Sequence, residues 1–200
     1  MQELAVIDFE TTGTTAGYDR PTELAIAILR GSKVVDSFSQ LMNPGMPIPL
    51  NVQALTGITN AMVARAPSVA RVMREAAMFV GLRPLVAHNA AFDSRFWSVE
   101  LGQLGIAQDN PFLCTLRLAR RVYPHLSSHA LQALRTALNL GSHGRAHRAQ
   151  ADVEVTVALL QRIQSDLAER AGQQVIDADF LLRVQQAPRA RLAAVLGGEG

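Results

Sequence analysis

The sequence predicts an α/β domain in which a mixed sheet is flanked by helices. Two observations lead to this fold class. Three strand-like segments follow one another with short links in the first 41 residues, and beyond residue 68 helical segments alternate with short apolar strands. Short links join antiparallel strands, whereas parallel strands need a long crossover that is usually a helix. The chain has 200 residues, 48% of them hydrophobic, which is enough for one domain with its own core.

The first part of the predicted sheet is an antiparallel meander. Leu4–Ile7 is a short apolar run with β-branched residues, and Glu23–Leu29 and Lys33–Leu41 have the same character. Gly31-Ser32 lies between the second and third strands and is typical of a hairpin turn. Asn43–Pro49 contains three prolines and a glycine, so we expect a loop there.

The second part of the chain carries the helices. Ser68 is a good N-cap for a helix that ends near Val80, because the apolar residues between them follow helical spacing. We predict two further strands and four further helices, at Leu85–Ala87 and Phe112–Cys114, and at Ala91–Leu104, Leu116–Val122, Ala130–Leu138 and Ala149–Ala168. The composition changes at Gly172, so we expect a domain over residues 1–171 and a C-terminal helical appendage or tail over residues 172–200.

Composition indicates a cytoplasmic protein with no membrane segment. Cys114 is the only cysteine, which excludes an internal disulfide and a cysteine-rich zinc site. Met1 leads directly into a strand, without a signal-peptide pattern, and no apolar run approaches the ~20 residues of a membrane span. Of the 19 basic residues only Lys33 is lysine. Arginine forms bidentate hydrogen bonds with phosphates, although codon usage alone would produce the same excess of arginine over lysine.

Two acids stand at the end of the first strand. Asp8 and Glu10 are two residues apart, so a strand directs both side chains to one face. Carboxylates that face one point repel each other unless a cation lies between them, and oxygen ligands suit Mg²⁺ or Mn²⁺. The alternative is a strand that merely ends in solvated acids.

Two further segments place polar residues next to strand or helix ends. His88 and Asn89 directly follow the predicted strand at Leu85–Ala87, and Asp93 follows them, where it could equally be a helix cap. His147 and Asp152 are five residues apart and would not share a helix face. We therefore expect His147 in a loop and Asp152 in the helix after it.

Taken in series, these segments resemble the DnaQ-like exonucleases of the DEDDh type. Val6–Gly13 resembles the first exonuclease motif, Leu85–Asp93 the second, and His147–Asp152 the third, in the form with a histidine five residues before the last aspartate. Ala54–Thr59 and Cys114–Arg120 are also similar to family segments. The resemblance extends in order over most of the first 167 residues, and a series of three motifs is highly specific.

The resemblance implies a ribonuclease H-like fold, with a five-stranded mixed sheet flanked by helices. It also implies hydrolysis with two metal ions, Mg²⁺ or Mn²⁺, held by Asp8, Glu10, Asp93 and Asp152. In this pattern Asp8 bridges both ions. His147 is the implied general base, because histidine changes charge near neutral pH.

Substrate contacts are expected around the same strand end. The backbone amides of Thr11, Thr12 and Gly13 are candidates for binding the terminal nucleotide, since glycine lets a chain approach closely. Leu55 is either an apolar wedge against the last base or a core residue. We also expect His88 and Asn89 to contact the sugar-phosphate, and Arg145 and Arg148 are candidates for phosphate contacts or for solvated surface.

The predicted function is therefore a 3′→5′ exonuclease that releases nucleoside monophosphates from single-stranded DNA in proofreading or repair. Its partner is nucleic acid with a free 3′ end, and the tail is a candidate for docking on a DNA polymerase subunit. An RNA 3′-trimming enzyme has the same chemistry and stays open, since the 2′-hydroxyl distinguishes the two. A non-catalytic adaptor in a polymerase complex would not need four acids and a histidine.

Overall fold

The structure is a computed structural model that describes residues 2–107, 109–141, 147–188 and 191–197. Its sheet has five strands in the order β3-β2-β1-β4-β5. The strands are β1 Glu3–Thr11, β2 Pro21–Arg30, β3 Lys33–Leu41, β4 Leu85–Ala87 and β5 Phe112–Cys114. The first three pair antiparallel, whereas β4 pairs in parallel with both β1 and β5. The predicted mixed sheet is confirmed.

Nine helices are present in the described parts of the chain. They are α1 Leu50–Thr56, α2 Asn60–Val63, α3 Val69–Val80, α4 Ala91–Gln103, α5 Thr115–Val122, α6 Leu131–Ala137, α7 Ala149–Ala171, α8 Ala178–Gln186 and α9 Leu192–Val195. The predicted cap of α3 is confirmed, since the Ser68 side chain accepts a hydrogen bond from the amide of Arg71. None of these helices combines the length and apolar character that crossing a membrane requires.

The sequence analysis missed α1 and α2. Both are short, and the only buried residue of α1 is Thr56, so α1 has no apolar stripe that a periodicity could reveal. Leu50 and Leu55 of α1 are exposed. The helix α2 spans four residues and is capped by Thr59, whose side chain accepts from the amide of Met62.

The sheet separates two hydrophobic cores. Leu4 and Val6 of β1 belong to the core covered by α5, α6, α7 and α8, whereas Ile7 and its odd-numbered neighbours belong to the core covered by α3 and α4. Side chains alternate along a strand, so Asp8 and Glu10 continue the row of Leu4 and Val6. Both acids therefore lie on the face covered by α7.

The chain beyond Gly172 returns to the sheet. Gly172 ends α7 in the left-handed conformation, with φ 60°. The buried side chains of α8 then join the core under α7, and Gln185 closes the free edge of β5. Its Oε1 accepts from the amide of Cys114 at 2.6 Å, and its Nε2 donates to the carbonyl of Phe112 at 3.2 Å. The division of the chain at Gly172 stays a prediction.

Candidate active site

A cleft of about 270 Å³ opens at the carboxyl end of β1. The predicted site residues that line it are Asp8, Glu10, Thr11, Gly13, Leu55, His88, Asn89, Asp93, His147 and Asp152. They come from β1, α1, the end of β4, the start of α4 and the start of α7. The fold thus brings four separate segments of sequence to one end of the sheet, where ligands of α/β domains commonly bind.

Three carboxylates form the centre of the cleft. Asp8, Glu10 and Asp152 each offer an oxygen, and these oxygens lie within 4.8 Å of one another. Asp8 and Glu10 share a face of β1, and Asp152 reaches them from the first turn of α7. An oxygen-only cluster of this kind fits a hard divalent cation such as Mg²⁺ or Mn²⁺.

Asp93 adds a fourth acid from α4. Its Oδ1 accepts a hydrogen bond from the amide of Phe9 at 3.2 Å, and the residue is 2% exposed. The amide of Ala5 donates to the carbonyl of Pro84, so Phe9, four residues on, directs its amide toward the same edge of β1. Because β4 ends at Ala87 and pairs with β1 only at Ala5 and Val6, it does not reach Phe9 on this side of β1, and Asp93 takes that position.

Burial and mutual repulsion shift the titration of these acids. Burial, and then the charges of Asp93, Glu10 and Asp152, raise the pKa of Asp8 well above its usual value. Burial first and neighbouring acids second raise the pKa of Glu10 to about 8, and burial raises the pKa of Asp93 to about 7. Burial also raises the pKa of Asp152. A bound cation would relieve this cost, so the cluster has the electrostatics of a metal site.

His147 lies just before α7, and Asp152 lies inside the helix, as predicted. The His147 side chain is exposed at the cleft, and its backbone is left-handed, with φ 61°. Its amide donates to Asp152 Oδ2 at 3.1 Å, and Gln132 Nε2 donates to Oδ1 at 3.0 Å. Both carboxylate oxygens are therefore oriented by the protein. Arg145 lies outside the described residues.

His88 is held within the protein. Its Nε2 lies 3.0 Å from the carbonyl oxygen of His129, and its Nδ1 lies 2.9 Å from Thr115 Oγ1. Burial lowers the pKa of His88 to about 4, so the ring is neutral at physiological pH. A carbonyl only accepts, so Nε2 carries the proton and the Thr115 hydroxyl donates to Nδ1. A substrate in the cleft can reach the ring surface but not a free ring nitrogen.

The turn after β1 is built around Asp19. The carboxylate of Asp19 accepts from the amide of Thr15 at 2.8 Å and fills the space beside Gly13. A Cβ on Gly13 would lie 2.5 Å from that carboxylate, so this position requires glycine for a close approach. Thr12 is buried and does not line the cleft, and its amide donates to the carbonyl of Arg20 at 2.9 Å. Thr11 and Gly13 do line it.

Leu55 projects into the cleft from α1 with 53% of its surface exposed. This exposure excludes the alternative of a core residue and leaves an apolar side chain beside the acids.

Glu23 is a buried acid next to the site that the sequence analysis overlooked. It lies within the buried run of β2 and pairs with Glu10 on β1. The guanidinium of Arg148 forks onto its carboxylate, with Nη2–Oε1 at 2.6 Å and Nε–Oε2 at 3.0 Å. Arg148 is thus paired with Glu23, so its guanidinium is not positioned for the phosphate contact that the sequence suggested. The available signal was a single acid in the otherwise apolar run Glu23–Leu29. That signal did not indicate Arg148 as the partner of Glu23.

Comparison with known proteins shows the family of the chain. A family model described as Exonuclease, RNase_T, matches residues 5–160. The chain belongs to this exonuclease family. The exonuclease is 38% identical over 171 residues to the PolC-type DNA polymerase III of Halalkalibacterium halodurans, and 38% identical over 172 residues to that of Bacillus subtilis. Each alignment covers 84% of the exonuclease but only 12% of the polymerase.

Solved structures share the fold over most of the chain. Exonuclease X, solved in complex with duplex DNA that has a 5′ overhang, is 28% identical with a TM-score of 0.69, covering 97% of this chain and 99% of that one. Exonuclease I of E. coli, solved with a dT13 oligonucleotide, has a TM-score of 0.73 at 19% identity and covers 84% of this chain and 42% of that one. The ribonuclease H-like fold and the membership of the DnaQ-like exonucleases are confirmed.

Proposed function

We propose that this exonuclease removes nucleoside monophosphates stepwise from the 3′ end of single-stranded DNA, in proofreading or repair. The observation that carries the proposal is the convergence of four acids from three segments on one cleft, beside an exposed histidine. A purely structural or adaptor role gives no reason to accumulate buried carboxylates, which repel one another and are costly to bury.

The acids are suited to hold two divalent cations, Mg²⁺ or Mn²⁺. Asp8, Glu10 and Asp152 have oxygens close enough to share ions, and Asp93 accepts from the amide of Phe9, the residue after Asp8. When bound, such ions activate water and stabilise the leaving 3′ oxygen. His147 is exposed at the cleft and is proposed to accept the proton from the attacking water.

Two features of the cleft support the choice of a chain end as substrate. Leu55 is an exposed apolar side chain that can pack against the last base, and stacking on an apolar surface does not depend on base identity. Gly13 forms a close-packed turn whose backbone borders the acids. Asn89 also lines the cleft, with a left-handed backbone at φ 63°. We propose that this surface seats the terminal nucleotide.

The relatives support DNA as the substrate. Exonuclease X was solved in complex with duplex DNA, and the PolC-type relatives are DNA polymerases. The chain spans about 12% of the length of those polymerases. We therefore propose a DNA polymerase subunit as a partner, in addition to nucleic acid with a free 3′ end.

The test is a digestion with end-labelled linear single-stranded DNA, the same strand as a covalently closed circle, and linear RNA of the same sequence. Linear DNA with Mg²⁺ or Mn²⁺ should give a ladder of mononucleotide steps, and the circle should stay intact. Asp152→Asn should abolish cleavage, whereas Asp36→Asn, which alters an exposed acid on β3, should not. Full activity in excess chelator contradicts the metal site. Degradation of the circle contradicts the terminal pocket, and faster cleavage of RNA contradicts the choice of DNA.

A further inference from the structure

The start of α7 is anchored at three consecutive residues. The amide of His147 donates to Asp152 Oδ2 at 3.1 Å. The guanidinium of Arg148 forks onto both oxygens of Glu23. The amide of Ala149, the first residue of α7, donates to Glu23 Oε2 at 3.0 Å. The carboxylate of Glu23 on β2 therefore binds both Arg148 and Ala149, which connect His147, the proposed base, to the helix that carries Asp152.

The position of Glu23 is energetically unfavourable for an acidic side chain that has no functional role. It is 3% exposed and stands directly across the strand pair from Glu10. Like charges directly opposite each other destabilise a sheet, and a buried ion pair is often no more stable than apolar residues of similar volume. Stability alone is thus a poor explanation for an acid at this point.

The backbone conformation of His147 supplies an independent indication. Its φ of 61° is unusual for a residue other than glycine. Such conformations are energetically unfavourable and persist where the surrounding structure fixes them. The hydrogen bonds at His147, Arg148 and Ala149 supply that restraint, and two of the three partners are oxygens of Glu23.

We propose that Glu23 is a positioning residue for His147 and Asp152. Its carboxylate locks the first turn of α7 onto β2, the strand paired with the strand of Glu10, so that His147 and Asp152 keep a fixed relation to Glu10. Glu23 is not part of the three-carboxylate cluster, because Arg148 and the amide of Ala149 occupy its oxygens. This inference rests on the proposed function, since it concerns how the same site is held.

The protein contains a matched control for a buried glutamate–arginine fork. Arg20 binds Glu100 with Nε–Oε1 at 2.9 Å and Nη2–Oε2 at 3.1 Å. The side chains of Glu100 and Glu23 are 3% and 5% exposed, and those of Arg20 and Arg148 are 31% and 36% exposed. Glu100 lies on α4, whose buried side chains pack on the opposite face of the sheet from those of α7. Glu100→Gln therefore removes an equivalent ion pair without loosening the start of α7.

The experiment compares Glu23→Gln with Glu100→Gln in the full chain. Glutamine keeps the size of Glu23 and one oxygen for Ala149, but it cannot form the charged fork with Arg148. We expect kcat on a single-stranded oligonucleotide to fall about 10–100-fold for Glu23→Gln, the usual loss when a partner that orients active-site groups is removed, with KM nearly unchanged. Arg148→Lys keeps the charge without the fork, so its kcat should lie between those of the wild type and Glu23→Gln.

A second readout does not depend on catalysis. Amide hydrogen exchange at Ala149 should speed up at least tenfold in Glu23→Gln and stay as in the wild type in Glu100→Gln. Mn²⁺ titration should give the same number of sites in all variants. Equal kcat in the two glutamine variants, or unchanged exchange at Ala149, overturns the positioning role. If the wild type cleaves no nucleic acid, the proposed function fails, while the exchange measurement still decides whether Glu23 anchors the helix. If Glu23→Gln does not fold, Arg148→Lys carries the same test.

Discussion

Replacing one acid of the cluster should stabilise the metal-free protein while it removes activity. Burial and the neighbouring acids raise the pKa of Glu10 from its ordinary 4.5 to about 8. The folded state therefore holds a proton on Glu10 that the unfolded state has already released between these two values. The free energy of unfolding falls as pH rises through this window, and Glu10→Gln, which cannot ionise, escapes that loss.

The size of the effect follows from the same two values. At pH 7 the solution is about 2.5 pH units above the ordinary pKa, and each unit corresponds to about 1.36 kcal/mol, so the upper bound is about 3 kcal/mol. A proton on a neighbouring acid relieves part of the repulsion, so we expect Glu10→Gln to gain about 2 kcal/mol. For a chain of this length that raises Tm by roughly 4–8 °C. At pH 5 the gain should be below about 1 kcal/mol.

The assay is urea and thermal unfolding of the wild type and Glu10→Gln in excess chelator, at pH values from 5 to 8. Glu154→Gln is the control, because Glu154 is an exposed acid on α7 and should change stability by less than about 0.5 kcal/mol at every pH. Saturating Mg²⁺ should reverse the order of the first two proteins, since a ligand stabilises the form that binds it. A Glu10→Gln protein that is less stable than the wild type at pH 8 in chelator refutes the argument that these acids repel one another.

Three other substitutions test separate parts of the structure. His147→Ala should lower kcat by roughly 10²–10⁴-fold in assays with saturating metal; an unchanged kcat excludes His147 as the base. Gln185→Ala leaves polar groups at the edge of β5 without partners, including the amide of Cys114, and should lower the free energy of unfolding by about 1–3 kcal/mol in urea titrations. Gly13→Ala places a methyl group 2.5 Å from the Asp19 carboxylate, so that carboxylate or the turn itself must shift. We expect a loss of about 1–3 kcal/mol in stability together with a higher KM, and a KM equal to that of the wild type would remove the turn from substrate binding.

Much of the fold was predictable because its signals are local. The hairpin at Gly31-Ser32, the cap at Ser68 and the apolar runs of β4 and β5 each depend on residues near one another in sequence, and the structure has all of them. The short helices α1 and α2 were not predictable, because neither buries enough apolar surface to leave a periodic pattern.

Part of the candidate site was equally local. A spacing of two on a strand determines that Asp8 and Glu10 share a face, and a spacing of five determines that His147 and Asp152 do not share a helix face. The resemblance to a known family then indicated that these segments and Asp93 form one site. The sequence by itself thus determined which residues are available for chemistry and roughly where each lies on its own element.

The tertiary structure alone decided how those residues are held. Asp93 accepts from Phe9 because β4 is too short to pair with that part of β1. Glu23 and Arg148 are 125 residues apart, and they meet only because β2 pairs with β1 and α7 packs across both strands. A contact of this kind has no signature in the residues around either partner. It depends on strand register and helix docking, which are determined by the packing of the whole core.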